Sequence, residues 1–359
     1  MRINFIMNSI SDAHANKRIN EFVSKGHNVK VFGFERDKNV KYNNNAITIG
    51  RFSNALSYQK RISIYVKALW SLFKKHSGND CIWYYQGLDV ALFSILFNHG
   101  KRYIYEECDL VHANVQNKLI RCLLEKADKH IIKNSYKTIM TSEGFLTFHY
   151  GKVDNAPENI VVIPNKLSPE VMQINNIPPQ PFNCGNIKFA FVGGLRYNAL
   201  VSIADIISKN YPNHEFHFYG FVSPNIPEKD LPKRANVSYH GAYKSPDDLP
   251  AIYSNVDVLI STYDTKSANV CYAEPNKLYE SIFFRRPIVV SANTFLADKV
   301  KRMGTGYIVD AFNDNAVKSL VKEIESTWQE KVDNLNKINK QEDIDNNNEE
   351  LIINKQSKI

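Results

Sequence analysis

Ala273-Glu274-Pro275-Asn276-Lys277-Leu278-Tyr279-Glu280, closing at Arg286-Pro287-Ile288-Val289-Val290, reads as a loop, a helix start and a buried strand. Pro275 suits a first helical turn, where its missing N–H costs nothing and its fixed φ is already helical. Lys277 and Glu280 then fall three residues apart on one face, with Leu278, Ile282 and Phe283 turned to a core. A helix N-terminus offers free N–H groups and a partial positive charge, which together favour a phosphate. A cation in that turn opposes the dipole and makes sense when an anion occupies the end. Glu280, one turn deeper, can accept hydrogen bonds from a pair of sugar hydroxyls. The same two residues also suit a surface i,i+3 ion pair worth about 0.2–0.5 kcal/mol, and the stretch alone leaves both readings open.

On either side of this stretch the chain alternates strand and helix. Strand 2–6 leads into a helix ending at Lys25 and stopped by Gly26, with strand 28–32 following at once. The first turn has no glycine fingerprint, so the dinucleotide motif of a dehydrogenase is missing there. Strand 81–85, an apolar helix from Leu88, strand 103–106, a helix to Asn134, strand 137–140 and a strand at 161–165 continue the pattern. From Ser168 to Gly185, Pro169, Pro178, Pro179, Pro181, Asn175, Asn176 and Asn183 break all apolar periodicity and predict a linker. The alternation restarts with strands 187–192, 215–219, 237–239, 257–261, 286–290 and 306–309. The tail from 332 to 359 is rich in Asn, Lys, Gln and Glu and has no aromatic residue, so it predicts a helix that frays. The fold class is therefore α/β: two Rossmann-like, doubly wound parallel sheets whose C-terminal strand edges face a cleft.

Bulk properties narrow the function. A chain of 359 residues with 43% hydrophobic and 12% aromatic content supports two ordinary cores. Five scattered cysteines, none in a C-x-x-C pair, argue against a disulfide framework or a zinc site and for a reducing compartment. No window is apolar for the ~18 residues a membrane span needs. A net charge of +8 and a pI near 9.0 allow nucleic acid, an anionic membrane face or an anionic small substrate. No Lys/Arg run of five and no nucleic-acid signature is present, so nucleic acid is not expected as a partner. A helix over 57–75 places Ile62, Tyr65, Val66, Leu69, Leu72 and Phe73 on one side and Lys60, Lys67, Lys74 and Lys75 on the other. It suits either an anionic membrane surface or a core helix with a solvated basic face. The carboxylates Glu107 and Asp109 follow a parallel strand, where they cap a helix or meet a ligand.

At this point the chain resembles a known family. V-G-G-L-R-Y (192–197), E-F-H-F-Y-G (215–220), V-S-Y-H-G-A-Y (237–243), D-D-L-P-A-I-Y-S-N-V-D-V (247–258) and E-P-N-K-L-Y-E-S-I-F-F-R-R-P-I-V-V (274–290) are similar, in order and spacing, to the donor half of bacterial GT-B glycosyltransferases. The similarity is greatest to family 4-like enzymes of capsule, exopolysaccharide and lipopolysaccharide synthesis. N-K-R-I-N-E-F-V-S-K-G-H-N-V (16–29), I-Y-E-E-C-D-L (104–110) and V-V-I-P-N-K (161–166) match more loosely, so that the resemblance spans about 1–328.

The resemblance implies a GT-B architecture whose C-terminal helix crosses back, with an acceptor-binding domain over 1–167, a linker over 168–185, a nucleotide-sugar domain over 186–328 and a polar helical or disordered tail over 329–359. It implies that Lys277 neutralises a donor diphosphate, Glu280 holds the ribose hydroxyls and Arg196 is a second phosphate cation. Gly220, Phe221 and Tyr243 would enclose the base, with Gly194, Asn276 and Glu274 beside the donor. Fixed cations stabilise a leaving diphosphate without a metal, so no metal or other cofactor is expected. The family's acidic pair, Glu-x7-Glu, would put its first Glu at Tyr272; here Glu274 lies two residues on. The basic residue after V-G-G also stands one or two places later than in the family. For an inverting reaction, Glu107, Asp109 and His14 are candidates to take the acceptor proton. A retaining front-face route needs none of them, and both outcomes stay open. The implied partners are a nucleotide-diphosphate sugar and a glycan or polyprenyl-diphosphate-linked acceptor, at the cytoplasmic face of the inner membrane. Alternatives are a nucleotide-sugar 2-epimerase of the same topology and a non-catalytic glycosyltransferase-like subunit.

Overall fold

The computed structural model describes residues 1–36, 45–53, 55–76, 80–174, 178, 180–339 and 348–353. Parts of the expected linker (175–177 and 179) and tail (340–347 and 354–359) lie outside the described residues. The chain divides into two compact units, one of Met1–Asn165 with Asn347–Ile359 and one of Lys166–Asn346.

The first unit runs β1 (Arg2–Met7), α1 (Ala13–Ser24), β2 (Asn28–Glu35), β3 (Ile47–Arg51), α2 (Tyr58–Lys75), β4 (Ile82–Gln86), α3 (Leu88–Ser94), β5 (Tyr103–Glu107), α4 (Lys118–Asn134), β6 (Lys137–Met140), α5 (Glu143–Tyr150) and β7 (Ile160–Val162). Its seven strands are ordered β3-β2-β1-β4-β5-β6-β7, and every pair is parallel. β4 and β5 are buried along their full length, as an all-parallel sheet covered on both faces requires. Strand β3 escaped the sequence reading because it is short and only partly buried.

The second unit runs β8 (Lys188–Val192), α6 (Asn198–Asn210), β9 (Glu215–Tyr219), β10 (Val237–Gly241), α7 (Leu249–Ser254), β11 (Val258–Ser261), α8 (Ala268–Tyr272), α9 (Lys277–Phe284), β12 (Ile288–Ser291), α10 (Phe295–Met303), β13 (Gly306–Val309) and α11 (Asp314–Asn336). Its six parallel strands are ordered β10-β9-β8-β11-β12-β13. Successive side chains of β8 go to opposite faces. Phe189 and Phe191 pack under α6 and α11, whereas Ala190 and Val192 pack under α7, α9 and α10. In each sheet the chain order reverses once, at β1/β4 and at β8/β11, and ligands of open α/β sheets gather at the strand ends there.

The C-terminal region departs from the sequence reading in the length of α11 and agrees with the expected crossing back of a last helix. α11 continues to Asn336 with Leu335 buried, and Arg285 donates hydrogen bonds to the carbonyls of Leu335 and Ile338. A last helix, α12 (Asn348–Ile352), belongs to the first unit, where Ile352 and Ile353 join the core beneath α1.

Trp328 anchors α11. Its Nε1–H donates to the Asp257 carbonyl at 2.9 Å, and its ring stacks on Phe182 at 4.3 Å. Trp328→Ala is expected to destabilise the second unit by about 3–5 kcal/mol, read as a lowered denaturation midpoint.

Candidate functional site

The second unit builds its site where β8 and β9 end. Gly193 and Gly220 follow these strands with φ of 150° and 130°. The Gly193 N–H donates to the Tyr219 carbonyl at 2.7 Å, and the Gly220 N–H donates to the Gly241 carbonyl at 2.7 Å. A Cβ on Gly220 would stand 1.9 Å from the Gly193 carbonyl oxygen, so only glycine allows the two turns to meet. A Cβ on Gly194 would fall 2.7 Å from the Phe221 ring and 3.1 Å from Arg196 Nε, and one on Gly193 would lie 3.7 Å from Lys277 Cε. Arg196 is exposed and lies over the Phe221 ring at 5.2 Å. Tyr243 shares a hydrogen bond with Lys277, and burial raises the tyrosine's pKa. Gly194, Gly220, Phe221, Arg196, Tyr243 and Lys277, predicted from four separate stretches, therefore come together.

Lys277 opens α9, and Pro275 stands just ahead of the helix; the Asn276 N-cap separates the two. All eight residues of α9 are buried, which removes the surface ion-pair reading. Lys277 Nζ donates to Glu280 Oε1 at 2.6 Å and to Oε2 at 2.8 Å, with both side chains under 10% exposed. Glu280 also accepts from Tyr253 at 2.5 Å and from Asn276 Nδ2 at 3.3 Å. Removing either partner would leave a buried charge uncompensated, a loss of about 3–5 kcal/mol. Glu274 is buried and accepts from Lys299 at 2.6 Å and from the Tyr279 hydroxyl, while its Oε2 has no hydrogen-bond partner. The N-terminal amides of α6 are already satisfied: Asp264 accepts from Asn198 N at 3.2 Å and Ala199 N at 2.8 Å.

In the first unit the two adjacent acids that end β5 turn to opposite faces. Glu106, not Glu107, meets His14, whose Nε2 lies 2.8 Å from Glu106 Oε1. His14 Nδ1 lies 3.0 Å from Asn165 Oδ1, an oxygen that also accepts from Lys17 Nζ at 2.9 Å. Both neighbours offer oxygen acceptors to the ring nitrogens, an arrangement that favours the charged imidazolium form. Burial lowers the His14 pKa, but the Glu106 charge and hydrogen bond outweigh it and the net shift is upward. Burial likewise raises Glu106, yet the charges of His14 and Arg18 and the hydrogen bonds of His14 and Tyr84 pull it down to about 2. His14 therefore stands in a carboxylate–imidazole pair with Glu106, with Asn165 on its other ring nitrogen.

The expectation of Glu107 as a base is corrected. Its side chain is 1% exposed, leaving an acceptor hydroxyl no access, and His149 Nε2 lies 2.9 and 3.1 Å from its two oxygens. Burial pushes its pKa up to about 8, and pushes Asp128 beside it to about 8. Asp109, in the loop after β5, is the exposed member of the three candidates.

No family model matches this sequence, and no curated protein does. Solved structures match along nearly the whole length. Sucrose-phosphate synthase from Thermosynechococcus elongatus aligns with a TM-score of 0.66 at 14% identity, covering 93% of this chain and 94% of that one. WaaG, a glycosyltransferase of lipopolysaccharide biosynthesis, aligns at 0.64 and 13% identity over 93% of both chains. The chain has the GT-B fold. The other matches include Anabaena HepE in complex with UDP and glucose (TM-score 0.65, 10% identity, covering 93% of this chain and 92% of that one). They also include a protein described as UDP-N-acetylglucosamine 2-epimerase from Listeria monocytogenes (0.59, 11%, covering 94% and 90%).

Sequence reasoning passed over Glu106, Tyr253 and Lys299. Strand alternation carried a signal for the first, because Glu106 and Glu107 cannot share a face. Nothing local to Tyr253 or Lys299 marks them, since they reach α9 and Glu274 from 27 and 25 residues away.

The Glu106–His14 pair has a defined pH signature. The depressed Glu106 contributes stability above its ordinary 4.5, and this is lost as pH falls toward about 2. The raised His14 contributes below its ordinary 6.5 and loses that contribution as pH rises through its folded value. Glu106→Gln is therefore expected to destabilise most, on the order of 3 kcal/mol, between roughly pH 4.5 and 6.5. Denaturation at pH 5.5 and 8.5 checks it; an equal loss at both values would disprove the ion pair.

Proposed function

We propose that this chain is a glycosyltransferase that moves a hexosyl group from a nucleotide-diphosphate sugar to a glycan or lipid-linked acceptor of bacterial surface polysaccharide. The observation that carries this reading is the buried Lys277–Glu280 pair beside the Gly193 and Gly220 turns. A carboxylate has about four acceptor sites. Those of Glu280 are taken by Asn276, Tyr253 and two contacts from Lys277. When Lys277 turns to a diphosphate, one site opens on each oxygen, which matches the two hydroxyls of a ribose. Arg196, exposed at the same turn, supplies the second phosphate contact, and Phe221 and Tyr243 offer ring faces to the base. Glu274 lies against Lys299 with one oxygen unpartnered and buried, so it would meet the donor sugar only if donor binding uncovers that oxygen.

In the reaction the bond between the sugar's anomeric carbon and the diphosphate oxygen breaks, and the nucleoside diphosphate leaves. A new bond forms to the acceptor oxygen, whose proton passes to a base; Asp109 is our candidate if the enzyme inverts. The fixed cations stabilise the leaving group in place of a metal. The Listeria neighbour supports a second reading, a nucleotide-sugar 2-epimerase. Assay of nucleotide sugars with and without glycan acceptors decides between them: transfer dependent on acceptor supports the first, and turnover of a UDP-sugar alone supports the second.

Lys277→Ala is expected to weaken donor binding by about 1.5–3 kcal/mol, the range for a charge-assisted contact. Calorimetry with the nucleotide sugar found by a thermal-shift screen checks it, and unchanged affinity would remove the phosphate role.

We also propose peripheral contact with the cytoplasmic membrane face. No described helix is long and apolar enough to span a bilayer. α2 exposes Lys60, Lys67, Lys74 and Trp70, and the first turns of α4 expose Leu119, Ile120 and Leu123 beside Lys118 and Arg121. Apolar anchors among cations suit an anionic interface. Lys67→Glu with Lys74→Glu, or Leu119→Ser with Leu123→Ser, is expected to reduce sedimentation with anionic liposomes by several-fold; wild-type chain that ignores such liposomes would defeat the idea.

A further inference from the structure

Apart from the residues given roles above, the first unit closes a group of histidines and carboxylates away from water. His112 sits in the 3-10 turn Val111–Asn114, Asp128 on α4 and His149 on α5, with side chains no more than 1% exposed. Asp128 Oδ2 lies 3.7 Å from His112 Nδ1 and 3.6 Å from His149 Nε2. One ligand atom from each of the three falls within 4.8 Å of the others. Glu107 reaches the same His149 nitrogen from the end of β5.

The hydrogen bonding inside this group is incomplete. Neither ring nitrogen of His112 has a hydrogen-bond partner although both are buried, and Asp128 Oδ2 has no fixed donor; beyond Tyr105, Asp128 has only a proton shared with Glu107. Buried polar atoms without partners each cost about 1–3 kcal/mol and call for an explanation such as an ion. Among the described residues neither Glu107 nor Asp128 forms an ion pair with Lys or Arg. The neighbouring Lys129 is used by Glu125 at 3.1 Å.

Separations of 3.6 and 3.7 Å are too long for hydrogen bonds but suit the edge of a coordination shell. Ligands bound at about 2.0–2.2 Å around a tetrahedral ion stand roughly 3.4 Å apart. The other oxygen of Asp128 accepts from the Tyr105 hydroxyl at 2.8 Å, the kind of outer hydrogen bond that orients a metal-binding carboxylate. The second grouping of this kind, His14, Glu106 and Cys108, lacks that open valence, because Glu106 is satisfied by His14, Tyr84 and the nearby Arg18 guanidinium at 3.5 Å.

We propose that His112, Asp128 and His149 bind a divalent transition-metal ion, with Glu107 turning from His149 to complete four ligands. Two imidazole nitrogens and two carboxylate oxygens suit Zn²⁺ first and Fe²⁺ or Mn²⁺ next. Two carboxylates balance the ion's two charges without outside help. The site is closed, so the ion is structural. It ties the end of β5, the 3-10 turn, α4 and α5 into one body and is taken up as the chain folds.

The test uses the full chain without a histidine tag. Metal analysis of protein from zinc-supplemented cells is expected to find about one ion per chain. Refolding from urea with EDTA is expected to give a lower Tm than refolding with ZnCl2, and adding MgCl2 instead leaves the lower value. His149→Gln and Asp128→Asn are expected to lose the ion. Where these variants fail to fold, the refolding comparison on the wild-type chain decides. Metal well below one equivalent together with identical Tm values in EDTA and ZnCl2 would overturn the proposal and leave a proton-sharing cluster. Full zinc content in both folded variants would overturn it equally.

Discussion

A charge removed from water must meet its opposite, and in the second unit that constraint falls on Lys277. Its ammonium is 7% exposed and stands in the first turn of α9, where the helix dipole repels a cation. Glu280 compensates it, Tyr253 and Asn276 fix Glu280, and Arg286 secures Tyr253 by donating to its carbonyl at 2.9 Å. α7, α9 and the start of β12 are held in register by this chain of contacts. Packing alone would be satisfied by an apolar α9. Retaining two charges there carries a desolvation penalty of several kcal/mol per ion, a cost that the proposed donor site would account for.

The first unit meets the same constraint differently. β5 ends in two acids, and strand geometry sends them to opposite faces. Glu106 finds cations and stays ionised, whereas burial beside a second acid pushes the Glu107 pKa up to about 8 in the metal-free chain. Two neighbouring carboxyls thus differ by several units because of what lies above and below one sheet.

The fold was readable because parallel strands buried on both faces are written as short runs of Val, Ile, Phe and Tyr, and nearly every such run became a strand. β3 and α8 were missed for the converse reason: one is partly solvated, the other is a five-residue helix with no buried residue. The donor-side residues were readable because each lies at a glycine turn or a helix start, features with local signatures. The surroundings of His14, Glu106 and Glu107 were not legible, since their protonation depends on Arg18, Tyr84, Asn165 and His149, which sequence distance hides. The same holds for the end of α11: its polar outer face masked Leu335, buried against the core of the second unit.

The return of α12 also has a temporal meaning. Glu349 accepts from His27 at 2.7 Å, and Ile352 and Ile353 fill the core under α1. A ribosome releases residues 1–165 long before these isoleucines exist. The first unit to be synthesised is therefore the last to be finished, and its early form keeps an open apolar slot beneath α1 throughout synthesis of the second unit. Chaperone demand for this chain should concentrate in that interval.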